Sequence, residues 1–503
     1  MVSLKELRDK VPRRAILGVL MFFACMFSYV IRTNLSINIV AMVNNTGKAG
    51  TTKGPYCTST TSNLTIVNIQ KPDIDERYNW NEKVQGYVLS AYFIGPVISS
   101  IPAGMLAERF GGARVVAWAT LVPALLNLLM PFAAGLHWGV LLPLRFLMGF
   151  TGSAVYPALH AMIARWSPPN EKGIFVWTMQ GGPFGILVTF SLCALVIEAF
   201  GWKAAFYTTS GLMLVFYAIW VWLAYDTPDQ HPTITEKERN YIKEKIGTSV
   251  SKNKVTLPLF AMLTSPPFLS LLWAHFANMW GIYFISINGP KYTLGILGLN
   301  IKSGGFLTGL PYIARLAGGA LFAAAGDRLR TRQILSVAWI RKIFMIFSHV
   351  GPGAALIVMT YVGCDATTAI IMMILSLALN GAACQTSLQN HQDLAPNFAG
   401  SLYGIMNVFG SVPGFIIPPI IGALTNEHNG LEEWRWMFWI TAIVFFSATI
   451  LFWIFGSASI QPWNYYGQQT KLETGTDEEK QMNDVPVKET LTSDEEAEED
   501  HRL

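Results

Sequence analysis

The chain has 503 residues, of which 52% are hydrophobic and only 14% are charged, and its mean hydropathy is positive. Soluble domains carry about a quarter charged residues, so this composition excludes an ordinary soluble protein and predicts a membrane protein. The net charge of +4 is small and dispersed, which argues against a nucleic-acid partner.

Twelve apolar segments are long enough to cross a bilayer, since a span needs about 20 mostly apolar residues. Helices are expected because backbone polar groups in lipid must be satisfied within the segment. The segments lie near residues 15–43, 84–107, 115–134, 139–164, 173–200, 203–224, 268–290, 303–325, 342–362, 367–392, 400–425 and 434–456. The predicted fold class is an all-α membrane protein with twelve transmembrane helices.

The first segment contains one cation, Arg32, about midway along a run with no other charge between Ala15 and Lys48. A cation in hydrocarbon costs several kcal/mol unless it faces a wet cavity or a partner, so such a residue is a candidate for a functional site. Arg145 and Arg315 repeat the pattern in the fourth and eighth segments, with Arg145 nearer a segment end. Cations with few acids nearby predict a cavity that holds a negative group.

The loop 44–83 carries two N-x-[ST] sequons, which make Asn44 and Asn63 candidate glycosylation sites. Lys and Arg residues cluster in the short loops on the opposite side of the membrane, and both termini are predicted to lie on that side. Loops rich in Lys and Arg are usually cytoplasmic. We therefore expect cytoplasmic termini and a first loop that lies outside the cell or in a lumen.

Five cysteines do not form a disulfide framework. Cys25, Cys193 and Cys384 fall in predicted spans. Cys57 and Cys364 fall in loops on the same outer side, so a bridge between them is conceivable, but we expect two unpaired thiols.

Two predicted segments lie outside the membrane. The linker 226–262 separates six spans from six, and Thr235-Glu236-Lys237-Glu238 resembles a capping box that opens a short charged helix ending near Gly247. We expect this helix to be solvated and to set the reach between the two sets of spans. The tail 457–503 is polar and acidic, which predicts a disordered cytoplasmic segment.

The two sets of spans resemble each other at an offset of about 220 to 230 residues. Three ordered matches carry the repeat: Glu108-Arg109 with Asp327-Arg328, Gly181–Gly185 with Gly410–Gly414, and Gly201-Trp202 with Glu433-Trp434. Parallel six-helix halves, here 1–225 and 263–456, are the plan of the major facilitator fold. In that fold, substrate binds near the midplane between the halves, and access alternates by rocking.

The segment Gly104–Gly111 resembles the G-x-x-x-D-R-x-G loop of major facilitators, with Glu108 in place of the usual Asp. An acid–arginine pair at a helix end can latch the halves in one state. We therefore propose Glu108, Arg109, Asp327 and Arg328 as a conformational latch. The alternative is a plain positively charged cytoplasmic turn.

A closer resemblance rests on Arg32-Thr33-Asn34-Leu35-Ser36, which is similar to the R-x-N-L-S motif of the anion–cation symporter family, solute carrier family 17. Further matches cover the chain from the first span to the last: Asn79-Trp80, Ile101–Gly104, Tyr156–His160, Trp166–Glu171, His231–Thr235 and Asn390–Pro396. The resemblance implies transport of a small anion, organic or inorganic, coupled to sodium, protons or membrane potential. No cofactor is implied beyond Na⁺ or H⁺ as the coupling ion.

Within this resemblance, Arg32 and Arg145 match family arginines with substrate or coupling roles. The planar guanidinium fork suits a carboxylate or phosphate because it makes two parallel charged hydrogen bonds. The alternative is that each arginine binds backbone carbonyls and fixes helix packing. Arg315 matches no family motif. The only argument for a functional role of Arg315 is the energetic cost of placing a cation in lipid.

Three further residues complete the predicted substrate site: Tyr92, Asn278 and His160. His160 lies near the cytoplasmic end of its span, where a packing role is equally consistent with the sequence.

The chain also departs from the glutamate-transporting members of that family. It has Gly152 where they carry an acid, Leu89 where they carry a histidine, and Asn278 where they carry an arginine. Loss of proton carriers and of a third cation favours phosphate or a monovalent organic anion over a dicarboxylate.

We therefore expect a symporter of phosphate or a small organic anion, driven by a sodium or proton gradient. The expected partners are the anionic solute and the lipid bilayer, and we expect a monomer. The plasma membrane is the expected location because neither terminus carries an acidic dileucine signal. The alternatives are a vesicular or lysosomal anion transporter and a non-transporting sensor. No nucleophile–base or metal-ligand cluster supports an enzyme or a metal site.

Overall fold

The computed structural model describes residues 12–44, 57, 74–168, 175, 178–246 and 258–466. Within these residues it contains eleven helices long and apolar enough to cross a membrane, and a twelfth span made of two helices that meet at a bend. The predicted all-α fold class is confirmed. The spans α1 to α12 are Arg13–Met42, Glu82–Phe110, Gly112–Leu136, Trp138–Trp166, Gly181–Phe200, Trp202–Leu223, Pro266–Ile296, Ile301–Thr331, Val337–Val362, Ala366–Leu394, Pro396–Leu424 and Leu431–Phe455.

Several spans are not uniform helices. Helix α2 begins after Asn81, whose side chain accepts the amide of Val84 at 2.9 Å, and it bends by 59° just before Pro102. A proline inside a helix removes a hydrogen-bond donor and favours such a bend. Helix α4 is interrupted by a turn at residues 153–154, and α7 ends in a π-helical turn, Lys291–Ile296. The predicted start of α5 near residue 173 lies outside the described residues.

Alternate spans run in opposite directions, so the molecule has two faces. We call the face with Cys57 and Cys364 the disulfide face, and the face with the linker between α6 and α7 the linker face. We call residues up to 225 the first half and residues 263–456 the second half. Across the seam between the halves, α2 packs against α11, α5 against α8, and α1 against α7.

The seam is tightest near the disulfide face. A Cβ atom added at Gly86 of α2 would lie 2.6 Å from the carbonyl oxygen of Pro418 in α11, so only glycine permits this approach. At the other end of the same two helices, a Cβ atom at Gly104, Gly400 or Gly404 would meet nothing within 4 Å. Helices α2 and α11 therefore touch near the disulfide face and have open space beside these glycines toward the linker face.

Cys57 and Cys364 form a disulfide with a Cα–Cα distance of 5.4 Å. The expectation of two unpaired thiols was therefore wrong. The Cys57 amide donates to the carbonyl of Ile296 at 3.1 Å, which holds Cys57 at the end of α7 beside the loop that carries Cys364. The two residues are 307 positions apart in sequence, and that separation gave no information about their proximity. Cys25, Cys193 and Cys384 are free.

The linker helix, Glu236–Ile246, is exposed to solvent over most of its surface, as expected, but one of its faces is docked against the first half, which was not expected. The carboxylate of Glu238 accepts the backbone amides of Arg13 and Arg14 at 3.0 and 3.1 Å, which caps the free N–H groups at the start of α1. Ile242 is buried in the same contact. Half of the predicted capping box forms, because the Thr235 hydroxyl accepts the Glu238 amide at 3.3 Å.

The predicted disordered tail begins too early. Residues 457–466 are folded against the second half, where the Gln461 amide donates to Leu394 O at 2.8 Å and Trp463 is 8% exposed. The Asn464 side chain accepts the Asn397 amide at 3.1 Å. The acidic stretch of the tail lies outside the described residues.

Residues 74–81 of the first loop are folded onto the first half. Asp75 accepts the Lys203 amide at 3.0 Å, and the Trp202 indole donates to Glu76 O at 3.0 Å. Of the two sequon residues, Asn44 is described and donates to the Asn79 side chain at 2.9 Å. Asn63 lies outside the described residues, and glycosylation stays a prediction.

Candidate functional site

Arg32 lies at the seam between the halves. It projects from α1, and its Nη1 donates to the hydroxyl of Tyr283 in α7 at 3.1 Å, which is a contact between the two halves. Four rings surround the guanidinium at 4.5 to 6.0 Å from its central carbon, and we call them the aromatic cage: Tyr29, Tyr92, Phe93 and Tyr283. Ring faces stabilise a cation without neutralising it.

The charge of Arg32 has no acidic counterpart in the described part of the chain. The ion pairs there involve other cations, and the Nε atom of Arg32 is buried without a hydrogen-bond partner. A buried donor left unpaired costs about 1–3 kcal/mol. An anion with two acceptor oxygens would satisfy the guanidinium fork in one step.

Arg145 in α4 is 1% exposed and is turned toward the backbone of α1. Its two terminal nitrogens donate to the carbonyl oxygens of Ile31 and Arg32, each at 3.3 Å. Both terminal nitrogens are therefore bound to backbone, whereas the Nε atom of Arg145 is buried without a hydrogen-bond partner. This geometry favours the packing alternative for Arg145.

Tyr92 links the two arginines. It is 1% exposed, and its ring lies 4.9 Å from the Arg145 guanidinium and 5.8 Å from that of Arg32. A Cβ atom at Gly152 would lie 3.3 Å from the Tyr92 hydroxyl, so the position where the resemblance expects an acid adjoins this cluster. The glycine leaves the cluster cationic.

Arg315 enters from the second half. Its Nε donates to the Asn380 side chain at 3.0 Å, and Asn380 in turn donates to the carbonyl of Ser348 at 3.0 Å. Tyr29, which stacks on Arg32, also interacts electrostatically with Arg315. Cations from both halves thus lie near Tyr29.

Asn278 and His160 lie outside the aromatic cage. Asn278 in α7 is fully buried, and neither polar atom of its amide has a partner; His275, three residues earlier, is also fully buried with two unpartnered ring nitrogens. His160 lies nearer the linker face, with its ring 5.9 Å from that of Tyr403 in α11. His275 and His391 also contact the Tyr403 ring, at 6.2 and 5.3 Å.

The four predicted latch residues are all exposed on the linker face: Glu108, Arg109, Asp327 and Arg328. None of them forms an ion pair with another described residue, and Arg109 rests over the ring of Phe110 at 5.4 Å. The latch stays a prediction, with its members apart in this state.

Other charged residues make the ion pairs of the linker face. Asp226 accepts the Gly112 amide at 2.5 Å and pairs with Arg165, which ties together three helix ends of the first half. In the second half, Arg341 pairs with Asp393 at 2.7 Å. The first of these pairs joins the first half to the linker, and the second lies within the second half.

Sequence reasoning missed two buried cations. Arg341 was assigned to a cytoplasmic loop, but it is 2% exposed inside the helix Val337–Met345. Lys291 fell one residue beyond the predicted end of its span, but it is 8% exposed and pairs with Glu82 of α2. A lysine directly after an apolar run that ends in Pro290 was the available signal.

Comparison with known proteins places the chain among membrane transporters. Residues 21–418 match the family described as Major Facilitator Superfamily. The chain is 32% identical to sialin from Ovis aries over 449 residues, covering 89% of this chain and 90% of that protein. It is 32% identical to vesicular glutamate transporter 2 from Homo sapiens over 457 residues, covering 90% and 75%.

Solved structures show the same fold at low sequence identity. The inward open conformation of the xylose transporter XylE from E. coli superimposes with a TM-score of 0.64 at 11% identity, covering 90% of this chain and 98% of that one. A crystal structure of D-xylose-proton symporter gives a TM-score of 0.62 at 13% identity, covering 88% and 97%.

Proposed function

The chain belongs to the major facilitator superfamily and, within it, to the family of sialin and the vesicular glutamate transporters; from this premise we propose that it transports a small monovalent organic anion. Its relatives are transporters, so it is a transporter rather than an enzyme. The observation that carries the proposal is Arg32, a cation at the seam between the halves with no carboxylate partner among the described residues and with a buried free N–H.

The donors at the seam support a single carboxylate over a more highly charged solute. Both terminal nitrogens of Arg145 are bound to the backbone of α1, whereas Arg32 has one hydrogen bond, to Tyr283, and no backbone carbonyl among its partners. One carboxylate matches one fork, and ring faces suit an apolar or cyclic body. A dianion such as phosphate would need a second cation, and Arg315 lies in the opposite half, bound to Asn380.

The contact between Arg32 and Tyr283 suggests how binding affects the halves. In the described state the linker face is open, and the Tyr283 hydroxyl accepts from Arg32 across the seam. A bound carboxylate would compete with this hydroxyl for the same N–H. Solute binding would thereby loosen one contact between the halves, as transport by rocking requires.

The orientation proposed here places the disulfide face outside the cell or in a lumen. Disulfides persist in oxidising compartments, and the Cys57–Cys364 bridge lies opposite the face where Lys and Arg cluster. Both observations support cytoplasmic termini. We keep the plasma membrane as the proposed location, with a vesicular membrane as the alternative, and surface biotinylation of intact cells separates the two.

Uptake into proteoliposomes tests the proposed function. The solutes are radiolabelled lactate, benzoate and gluconate, with inorganic phosphate as the dianion, under imposed sodium or proton gradients. We expect gradient-dependent uptake of at least one monocarboxylate, and the gradient that drives it identifies the coupling ion.

Replacement of one residue makes the test specific. Arg32→Gln should lower uptake at least about 100-fold, because it removes a desolvated charged hydrogen-bond partner of the anion. Arg330→Gln, an exposed arginine on the linker face, is the matched control and should transport normally. Near-normal uptake by Arg32→Gln would refute its role, phosphate uptake alone would refute the monovalent class, and binding without flux would favour a sensor.

A further inference from the structure

One ion pair joins the two halves within the described residues. Lys291 of α7 pairs with Glu82 of α2, and the side chains are 8% and 18% exposed. The other ion pairs there lie within the first half, between the first half and the linker, inside the linker, or within the second half. The second carboxylate oxygen of Glu82 accepts from Asn429 of the second half at 3.3 Å.

This pair lies in the tight part of the seam. A Cβ atom at Gly422 of α11 would lie 2.6 Å from the carbonyl oxygen of Glu82 itself, so α2 and α11 touch at the residue that makes the pair. Opening of the disulfide face must separate these helices. It must therefore also break the contact between Glu82 and Lys291.

Glu82 lies in the first turn of α2, where the helix dipole favours an anion, and Lys291 lies at the start of the π-helical turn that ends α7. An ammonium group in an opening cleft then lacks its carboxylate. Removal of one partner from a buried pair is costly unless another group replaces it.

A solute anion is a matched replacement for Glu82. Asn288 lies three residues before Lys291, on the same side of α7, and its side-chain nitrogen is buried without a partner. An ammonium and an adjacent amide N–H together suit a carboxylate. The π-helical turn that begins at Lys291 is a feature often found at functional sites.

We propose that Lys291 is a second anion-contact residue, held by Glu82 while the disulfide face is closed and free to bind the solute carboxylate when that face opens. This inference rests on the proposed function. It adds an anion site on the disulfide face to the Arg32 site at the seam. It also assigns Glu82 the role of the residue that competes with the solute for Lys291. Renewed pairing of Glu82 with Lys291 displaces the carboxylate as the face closes.

Kinetics measured from the disulfide face test the proposal with the same monocarboxylates in oriented proteoliposomes. Lys291→Gln should raise KM from that face about 10-fold, the loss expected for one hydrogen bond to a charged group. Lys291→Arg should keep KM close to that of the unmodified protein. Glu82→Gln should leave KM within about twofold and lower the maximal rate, because the carboxylate closes the face and does not hold the solute.

Lys302→Gln is the matched control, because Lys302 is an exposed lysine at the start of α8 on the same face. It should leave KM and the maximal rate unchanged. Equal changes in Lys291→Gln and Glu82→Gln would show that the pair only fastens the halves, and that result would overturn the proposal. An unchanged KM in Lys291→Gln would overturn it as well.

Chemical labelling gives a measurement that does not depend on transport. A membrane-impermeant amine-reactive ester, applied to the disulfide face, should label Lys291 faster in Glu82→Gln, and benzoate should slow that labelling. Labelling that benzoate does not affect would contradict anion binding at Lys291. Absence of Arg32-dependent uptake would refute the proposed function instead, so the two failures are distinguishable.

Discussion

Arg32 and Arg145 are alike in sequence, since each is a lone cation in an apolar segment, but they make different contacts. Arg32 is bound by rings and by a phenol of the other half, whereas Arg145 is bound by two carbonyl oxygens of its own half. The first arrangement leaves a cation available to a solute. The second fixes the helix that carries it.

Replacement of Arg145 should therefore reduce stability. Arg145→Gln removes two hydrogen bonds and a ring contact from a fully buried site, with an expected cost of about 2–3 kcal/mol. Arg32→Gln should cost less, because its one hydrogen bond crosses the seam. The measurement is the monodisperse fraction that survives heating in detergent. Equal loss in both variants would contradict the assigned difference.

The sequence identified individual buried cations only where the energetic cost of a charge in the middle of an apolar segment was evident. Arg32 was singled out as a charge in the middle of an apolar run, and Tyr92 lies with its ring 5.8 Å from the Arg32 guanidinium; their role in substrate binding stays a prediction. Lys291 and Arg341 were missed, since each lies at a predicted span boundary, where a charge is inexpensive. Their burial depends on Glu82 and Asp393, partners distant in sequence.

At the scale of elements, the positions of the spans followed from sequence because the thickness of the bilayer fixes the length of an apolar segment. The interruptions within the spans could not be predicted from the sequence. The turn at residues 153–154 and the π-helical turn Lys291–Ile296 depend on packing against neighbouring helices. The linker helix was found, but its charges could not identify α1 as its partner.

Docking of the linker helix should depend on pH through His231. Burial, and then the nearby Arg13 charge, lower the pKa of His231 below its ordinary value of about 6.5. Its Nδ1 accepts the Thr233 amide at 3.3 Å, a contact that protonation of that nitrogen removes. A lowered folded pKa means that docking is fully stable above the unfolded pKa and weakens as the pH falls below it.

Hydrogen exchange of residues 236–246 at pH 7.5 and 5.5 measures this effect. After correction for intrinsic rates, exchange should be about threefold faster at the lower pH. His231→Gln should abolish the difference, whereas His428→Gln, an exposed histidine on the disulfide face, should preserve it. Equal pH dependence in His231→Gln and the unmodified protein would exclude His231 as the cause.

At the scale of the molecule, the described residues show one of the states that transport requires. Close approach of α2 and α11 at Gly86 seals the disulfide face, while the ends of the same helices near Gly104 and Gly400 stand apart. The seal combines backbone contact, the pair of Glu82 with Lys291, and the disulfide at Cys57. Sequence patterns predicted two related halves, but which face is closed depends on contacts between them.

The disulfide adds stability that reduction should remove. A bridge between residues 307 positions apart restricts the unfolded chain strongly, and removal of a native disulfide typically costs about 2–5 kcal/mol. A reductant should therefore lower the thermal midpoint of the unmodified protein, and Cys364→Ser should show the lower midpoint without reductant.

Digestion without reductant provides the control. It should yield a joined peptide that contains Cys57 and Cys364, and Cys384→Ser should retain that peptide. Alkylation of Cys57 in the unreduced protein would contradict the bridge.

The carboxylate of Glu238 holds the linker helix against the first turn of α1. Because this helix is docked on the first half, we expect the helix and that half to move as one rigid body when the halves rock.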